Sequence, residues 1–183
     1  MTRRSSILGA ILDLFGSARK PAARPSKAVR VAPGTAVHGD GPGRSGTTAT
    51  IEVTPPAPGG LRISYAPESD GDADAGEIVW TWVPYVERDG RGKDRPVLVI
   101  ARESAERVYA VKLTSRSHDG DRDFLAIGAG PWDAQGRESW VDVDQVYSVH
   151  VDGLRREAAA LDLDRFTRVA ALLHQRYGWE IGG

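Results

Sequence analysis

Between residues 76 and 151 the chain is a succession of short segments rich in β-branched and aromatic residues. Polar or glycine-containing stretches separate these segments, as turns separate strands. Strands at this spacing with no helix between them predict an antiparallel curled sheet or a small barrel. The predicted strands are 77–83, 96–101, 107–113, 124–127, 138–143 and 145–151.

A helix follows the predicted strands. With Asp162 as its N-cap, apolar residues recur at helical spacing from Phe166 to Tyr177, and Gly178 ends the run. We expect this amphipathic helix to pack its apolar stripe across the sheet. A shorter helical turn is predicted before it, at residues 154–161.

A basic arm precedes the strands. Residues 1–30 hold seven Lys or Arg and one Asp, a net charge of +6. The segment 1–20 is predicted to contain a short amphipathic helix, because apolar residues recur at helical spacing within 5–16. Its basic flanks suit weak contact with an anionic membrane surface. Since five apolar residues bury little area, we favour the alternative of a loosely ordered tail.

Residues 21–75 are predicted to form a flexible linker. Pro, Gly, Ala, Ser and Thr dominate this stretch, and it lacks sustained apolar periodicity. Only Leu61, Ile63 and Tyr65 alternate as a short strand would. All five tryptophans lie after residue 76, which places the folded domain at 76–183.

Several classes of protein are excluded by what the 183 residues lack. They contain no cysteine and no run of about 18 apolar residues, so a disulfide scaffold, a cysteine nucleophile and a bilayer-spanning helix are ruled out. The four histidines are scattered, and no pair has the spacing of metal ligands. Neither a metal nor a cofactor is therefore predicted, and we expect a cytoplasmic protein.

The strand at 96–101 follows a basic loop that ends in Arg95. A guanidinium directly before a buried strand lies at the end of a sheet, where it can bind a phosphate bidentately. Gly90 and Gly92 would let the loop approach a ligand closely. From the residues alone we favour the alternative, a surface turn in which Arg95 pairs with Asp94 or Glu77.

The strand at 107–113 opens into a second polar cluster, formed by Thr114, Ser115 and Arg116. Hydroxyls beside a guanidinium suit an oxyanion. Residues 77–183 carry a net charge of −3, so any nucleic-acid binding would depend on basic side chains concentrated in these loops.

Three motifs, in this order and spacing, resemble the MazF/PemK family of type II toxin–antitoxin toxins. They are GEIVW at residues 76–80, RPVLVI at 95–100 and LTS at 113–115. The later segment 141–146 looks like the family strand that carries a glutamine near the active groove, here Gln145. The resemblance covers residues 76 to about 178.

The resemblance implies a mainly β fold with a C-terminal helix, in the form of a small, strongly bent antiparallel β-barrel of the Src-homology-3-like toxin type. It implies a homodimer whose inter-subunit groove binds single-stranded RNA, with an antitoxin protein as partner. Family members cleave RNA without a metal ion. The 2′-hydroxyl attacks the adjacent phosphate and leaves a cyclic phosphate and a 5′-hydroxyl.

Residue roles carried over from the resemblance centre on Arg95 and Thr114. Arg95 matches the arginine that stabilises the phosphorane, and Thr114 matches the hydroxyl that positions the phosphate. Since the ordinary pKa of arginine is high for a general acid, electrostatic stabilisation is assigned to Arg95 first. Trp132 is expected to be exposed and to offer a stacking surface. The remaining substrate contacts are assigned to Ser115, Arg116, Gln145, Arg91 and Lys93.

A different class of function stays open at this point. A non-catalytic barrel that binds a protein partner, such as a gyrase-poisoning toxin of the related CcdB type or a tethered adaptor, is the alternative to the endoribonuclease.

Overall fold

The computed structural model describes residues 41–68, 72–87 and 89–182, and for 156–158 it describes the backbone alone. The predicted helix within 1–20 and the first part of the predicted linker lie outside these ranges. No helix in the described part of the chain is both long and apolar enough to span a membrane. The elements are β1 (Ile51–Val53), β2 (Arg62–Ile63), β3 (Glu77–Pro84), β4 (Gly92–Arg102), β5 (Arg107–Thr114), β6 (Phe124–Gly128), β7 (Ser139–His150), β8 (Leu154–Ala160), α1 (Leu163–Tyr177) and β9 (Glu180–Ile181).

The main sheet is antiparallel, with strand order β1-β7-β5-β4-β3-β8, and β6 also pairs with β7. The prediction of a mainly β fold with one C-terminal helix is confirmed. The two strands predicted at 138–143 and 145–151 are one long strand, β7. The helical turn predicted at 154–161 is wrong, because this segment forms β8 and supplies backbone partners to the outer edge of β3.

The sheet is open, so the predicted barrel is not closed by backbone pairing in the described residues. Its two edges approach each other through side chains instead. The hydroxyl of Thr50, just before β1, lies 2.8 Å from that of Thr81 on β3. Thr81 Oγ1 in turn donates to the carbonyl of Gly153, just before β8, at 3.0 Å. These side-chain hydroxyl contacts therefore take the place of the backbone hydrogen bonds between strands that would close a barrel.

The two faces of the sheet bury different sets of side chains, because successive residues along each strand point to opposite faces. On β4, Leu98 and Ile100 face a large cluster that includes Phe166, Leu173 and Trp179 from α1 and the residues after it. This is the helix-covered face. The opposite, valine-lined face is a smaller cluster whose core is Val79, Val83, Val97, Val99, Val108, Ala110, Tyr147 and Val149.

Helix α1 begins and ends where its capping residues predict. The side chain of Asp162 accepts a hydrogen bond from the backbone N–H of Arg165 at 2.9 Å. Gly178 adopts φ +69°, the left-handed conformation that ends helices and favours glycine. The buried stripe consists of Phe166, Val169, Ala170 and Leu173, and it packs on the sheet as expected.

The structure differs from the prediction of a linker that reaches residue 75. β1 pairs with β7, and Leu61 and Ile63 are buried in the helix-covered cluster. The indole N–H of Trp179 donates to the carbonyl of Pro56 at 2.8 Å. Composition predicted a flexible segment. The burial of a few apolar side chains and backbone pairing with the sheet are enough to order it.

Trp132 is buried, not exposed, with only 4% of its surface accessible. Its indole N–H donates to the hydroxyl of Ser139 at 3.0 Å. The prediction of a stacking surface at Trp132 is therefore wrong. The loop that carries Trp132 directs its ring into the helix-covered cluster. Burial of this large apolar ring is favourable for the free energy of folding.

Candidate functional site

The valine-lined face ends in a cavity of about 320 Å³ that is lined by both apolar and charged residues. Arg95 lies on β4 opposite Thr81 and, by alternation from Val97, points to this face. Residues from four segments meet at the cavity: the end of β3, the β3–β4 loop, β4 and β5. The lining residues with polar side chains are Tyr85, Glu87, Arg91, Arg95 and Lys112.

The Arg95 guanidinium is half-buried, and no carboxylate in the described residues forms an ion pair with it. Burial lowers the pKa of Arg95 below its ordinary value, opposed by the charges of Tyr85, Tyr147 and Asp142. The pairing of Arg95 with Asp94 or Glu77, favoured from the residues alone, is wrong. Asp94 pairs with Arg155 of β8, across the intervening strand β3, and the carboxylate of Glu77 accepts from the backbone N–H of Asp74 at 3.3 Å.

A second cation stands beside Arg95. Like charge from Arg95, burial and the charge of Arg137 all lower the pKa of Lys93 below the ordinary 10.5. Arg91 is also near but is neutralised, because its Nε lies 2.6 Å from an oxygen of Asp89. Lys93 and Arg95 therefore make this end of the valine-lined face electropositive.

An irregularity in the pairing of β5 with β7 determines which side chains contact Lys112. Val111 pairs with Val146, whereas Leu113 pairs with Val141, so residues 142–145 of β7 all lie opposite Lys112. This bulge brings two polar side chains of one strand to a single lysine. Lys112 Nζ lies 3.1 Å from a carboxylate oxygen of Asp142, which is 4% exposed, and donates a hydrogen bond to Oε1 of Gln145.

Gln145 occupies a defined orientation. Its Oε1 accepts from Lys112 Nζ and also from the hydroxyl of Tyr147 at 3.1 Å. Its amide nitrogen donates no hydrogen bond within the described residues, and the side chain is partly exposed. The predicted substrate residue Gln145 thus shares a network with Lys112, which itself lines the cavity with Arg95.

Thr114 ends β5 two residues beyond Lys112, and alternation places it on the same face of the sheet. Its hydroxyl accepts from the backbone N–H of Arg116 at 3.2 Å. Thr114 is not part of the cavity lining, although continuing the β4–β5 register by two residues would set it opposite Arg95. Ser115 and Arg116 lie in the exposed turn that follows.

The glycines of the basic loop serve the hairpin itself. A Cβ on Gly92 would stand 2.5 Å from the carbonyl oxygen of Val83 and 2.8 Å from the Trp82 ring. Gly92 is therefore required for close packing of β4 on β3. Gly90 adopts φ +81° at the tip, where a side chain would be strained.

Lys112 and Asp142 are site residues that motif reasoning missed. Both interrupt apolar strands, in VYAVKLT and SWVDV, and a charge inside such a strand needs a partner when it is buried. Period-2 alternation from Thr114 would have placed Lys112 on the same face. No group of three or more His, Asp or Glu side chains within the described ranges is arranged to hold a metal ion.

Comparisons with known proteins agree with the motifs. A family model described as PemK-like, MazF-like toxin of type II toxin–antitoxin system matches residues 74–176, more than half of the chain. No curated protein matches the sequence. Among solved structures, an endoribonuclease from Mycobacterial species is 17% identical, with 59% of this chain and 94% of that chain covered and a TM-score of 0.43.

MazF from Deinococcus radiodurans is 23% identical, with 58% of this chain and 97% of that chain covered and a TM-score of 0.42. A MazE-MazF structure from the same organism is 24% identical, with 57% and 95% covered and a TM-score of 0.41. The assignment rests on the family model, whose match includes β3 to β8 and nearly all of α1. The chain belongs to the PemK-like, MazF-like toxin family of type II toxin–antitoxin systems.

Proposed function

We propose that the protein is an endoribonuclease that cleaves single-stranded RNA without a metal ion. One observation carries the proposal: a half-buried arginine, unpaired with any carboxylate among the described residues, lines a cavity at the cationic end of one sheet face. A desolvated guanidinium stabilises developing negative charge strongly, because little water competes for it. Membership of a toxin family supports RNA as the target.

The reaction forms one bond and breaks one. The ribose 2′-hydroxyl loses its proton as its oxygen bonds to phosphorus, which gives a pentacovalent phosphorane with additional negative charge. The bond from phosphorus to O5′ then breaks, and O5′ gains a proton. The products are a 2′,3′-cyclic phosphate and a 5′-hydroxyl. Arg95 stabilises the phosphorane, and Thr114 positions the phosphate.

Substrate contacts are distributed around this centre. Lys93 adds positive potential beside Arg95 and binds the RNA backbone, and Arg91 contributes from the loop. Ser115 and Arg116 extend the contacts along the exposed turn after β5. Gln145 contacts the RNA through its amide nitrogen.

The test is cleavage of labelled single-stranded RNA of varied sequence in EDTA. We expect cleavage by the full-length protein and loss of at least about a hundredfold for Arg95→Ala, the size of effect seen when a single oxyanion donor is removed. Arg168→Ala is the matched control, because its guanidinium donates to the Ala126 carbonyl on the helix-covered side. Intact RNA throughout, or equal rates for the Arg95 variant, would overturn the proposal. Inhibited DNA supercoiling without RNA cleavage would favour the non-catalytic alternative.

We further propose that the active form is a homodimer and that an antitoxin protein is its partner, both on the strength of the family. Light scattering of the purified chain tests the dimer, and a monomer at micromolar concentration would contradict it. A small acidic antitoxin encoded beside this chain should co-purify with it and block RNA cleavage. Continued cleavage by the co-purified complex would contradict this pairing.

Residues 1–20 add a separate proposal of weak contact with an anionic membrane surface. Flotation with liposomes rich in phosphatidylserine compares the full chain with one that starts at residue 41, which retains β1. Equal flotation of the two would assign residues 1–20 to a loosely ordered tail.

A further inference from the structure

Residues 43–50, the N-terminal turn, lie before the region that the family model matches, yet they are built into the fold. Within the turn, the backbone N–H of Thr50 donates to the carbonyl of Gly43 at 2.8 Å. Arg107, at the start of β5, holds the turn from the sheet by donating to the carbonyl of Ala49 at 2.7 Å. The turn therefore has a defined position on the sheet.

The N-terminal turn meets β3 at Thr81, which is fully buried. Thr81 Oγ1 gives its one hydrogen to the Gly153 carbonyl, so Thr50 must be the donor in the 2.8 Å contact between the two threonine hydroxyls. Gly43 packs against the same place, because a Cβ on it would stand 3.0 Å from Thr81 Oγ1 and 2.9 Å from the Gly153 oxygen. The turn thus fixes the orientation of the Thr81 side chain.

Thr81 is also the cross-strand partner of Arg95, and both side chains point to the valine-lined face. The Cβ atoms of such a pair are about 5 Å apart. Since no carboxylate in the described part of the chain forms an ion pair with Arg95, packing against neighbouring side chains sets where its guanidinium lies. Thr81 is one of these neighbours, so a change in its orientation displaces Arg95.

We propose that Thr50 and Gly43 are positioning residues for Arg95 and act on it through Thr81. The inference rests on the proposed RNA cleavage, in which Arg95 stabilises the phosphorane, and it extends the catalytic apparatus to a segment outside the matched region. The N-terminal turn holds the guanidinium where negative charge develops. It therefore lowers the barrier of the chemical step and leaves RNA binding nearly unchanged.

The first experiment removes the hydroxyl of Thr50 in the full-length protein. Thr50→Val has nearly the same shape but cannot donate to Thr81. We expect kcat for single-stranded RNA to fall roughly tenfold and KM to change by less than about twofold, because a misplaced reacting group slows chemistry more than it weakens binding. Thr50→Ser keeps the donor and should restore most of the rate. Thr47→Val is the control, because the Thr47 side chain is exposed and its carbonyl, not its hydroxyl, meets Arg107.

A pair of glycine variants tests the close approach of the turn to β3. Gly43 and Gly46 both have a left-handed backbone, with φ +80° and +68°, so alanine is strained at either position. The new Cβ would press on Thr81 and Gly153 at position 43, whereas at position 46 no atom of the described residues lies within 4 Å. We expect Gly43→Ala to lower kcat at least as much as Thr50→Val, and Gly46→Ala to leave it unchanged.

The position of Arg95 can be followed without RNA. Its Nε–Hε signal in a nitrogen-15 NMR spectrum is assigned by its absence from the spectrum of Arg95→Met. We expect this signal to shift in Thr50→Val and Gly43→Ala, and to stay in place in the controls Thr47→Val and Gly46→Ala. Urea denaturation of each variant shows that it is folded under the assay conditions.

Each outcome decides a different question. An Arg95 signal that stays in place in both Thr50→Val and Gly43→Ala overturns the inference and leaves the nuclease intact. The same holds if the signal shifts while kcat is unchanged, if Thr50→Ser fails to restore the rate, or if the controls lose as much activity. A shifted signal in a protein that cleaves no RNA shows that the turn holds Arg95 and overturns the proposed catalysis.

Discussion

The two faces of the sheet obey different rules although the same strands build both. The helix-covered face is apolar where α1 and Trp179 shield it from water. The valine-lined face is apolar only at its centre and ends in Arg95 and Lys93, which have no carboxylate partner among the described residues, beside the ion pair of Lys112 and Asp142. The difference teaches that one face supplies stability, while the other bears the unpaired charges from which a binding site is made.

Removing the Trp179 ring from the helix-covered face should have the largest effect on stability. Trp179 is fully buried, stacks on Tyr177 with ring centroids 4.5 Å apart, and bonds Pro56. We expect Trp179→Ala to lower the free energy of unfolding by about 3–5 kcal/mol. Urea denaturation followed by circular dichroism measures this. Trp179→Phe, which keeps most of the packing, should lose much less, and equal losses for the two would refute the packing argument.

Two neighbours on β4 compare the faces directly. Leu98 and Val99 are both fully buried, Leu98 on the helix-covered face and Val99 on the valine-lined face. Leu98→Ala should cost about 3–4 kcal/mol, and Val99→Ala about 2 kcal/mol, because fewer buried methyl groups are lost and the surrounding cluster is smaller. The same denaturation assay ranks them, and a larger cost at Val99 would reverse our assignment of the main core.

Replacing the unpaired cation should stabilise the protein. Arg95→Met removes a partly desolvated charge that has no carboxylate partner among the described residues, so we expect a gain on the order of 1 kcal/mol together with loss of RNA cleavage. Arg168→Met, a surface change, should alter stability by less than about 0.5 kcal/mol. A destabilised Arg95→Met protein would show that Arg95 serves the fold instead of a ligand.

The smallest effect concerns protonation of Lys93. Because Arg95, burial and Arg137 lower its pKa below 10.5, Lys93 loses its charge at a lower pH than an ordinary lysine. The protonated form is disfavoured in the folded protein, so stability should rise slightly, and RNA affinity should fall, as pH rises through the lowered pKa. Arg95→Met should move the Lys93 titration upward in an NMR measurement of its side chain. An unchanged pKa of Lys93 in this variant would show that the charge of Arg95 does not affect Lys93.

Local patterns predicted the elements that local chemistry decides. The strands between residues 77 and 150 follow from β-branched and aromatic residues, and α1 follows from its apolar stripe, Asp162 and Gly178. β8 was not predicted, because its sequence LRREAAA has neither feature. The glycine-containing loop correctly marked the β3–β4 hairpin, but the prediction that Arg95 comes directly before the strand is wrong, because β4 begins at Gly92 and Arg95 pairs with Thr81 within it. The lack of a carboxylate partner for Arg95 could not be predicted, since that depends on Asp94 turning to the other face and meeting Arg155.

The remaining features depend on which strands pair and in what register. Lys112 meets Asp142 and Gln145 only because four residues of β7 lie opposite one of β5, and no local pattern encodes that bulge. Trp132 looked exposed because it lies in a polar loop, yet its ring finds space among residues distant in sequence. The segment 51–63 looked flexible by composition, and its order comes from partners far along the chain.

The hydrogen bond between Trp179 and Pro56 joins residues 123 positions apart. Closing so long a loop is entropically unfavourable, so this contact forms late in folding. During synthesis on the ribosome, residues 51–63 emerge before the residues they pair with. They can form these contacts only when β7, Trp179 and β9 have left the exit tunnel. Nascent fragments that end before β9 therefore lack the segment's anchorage.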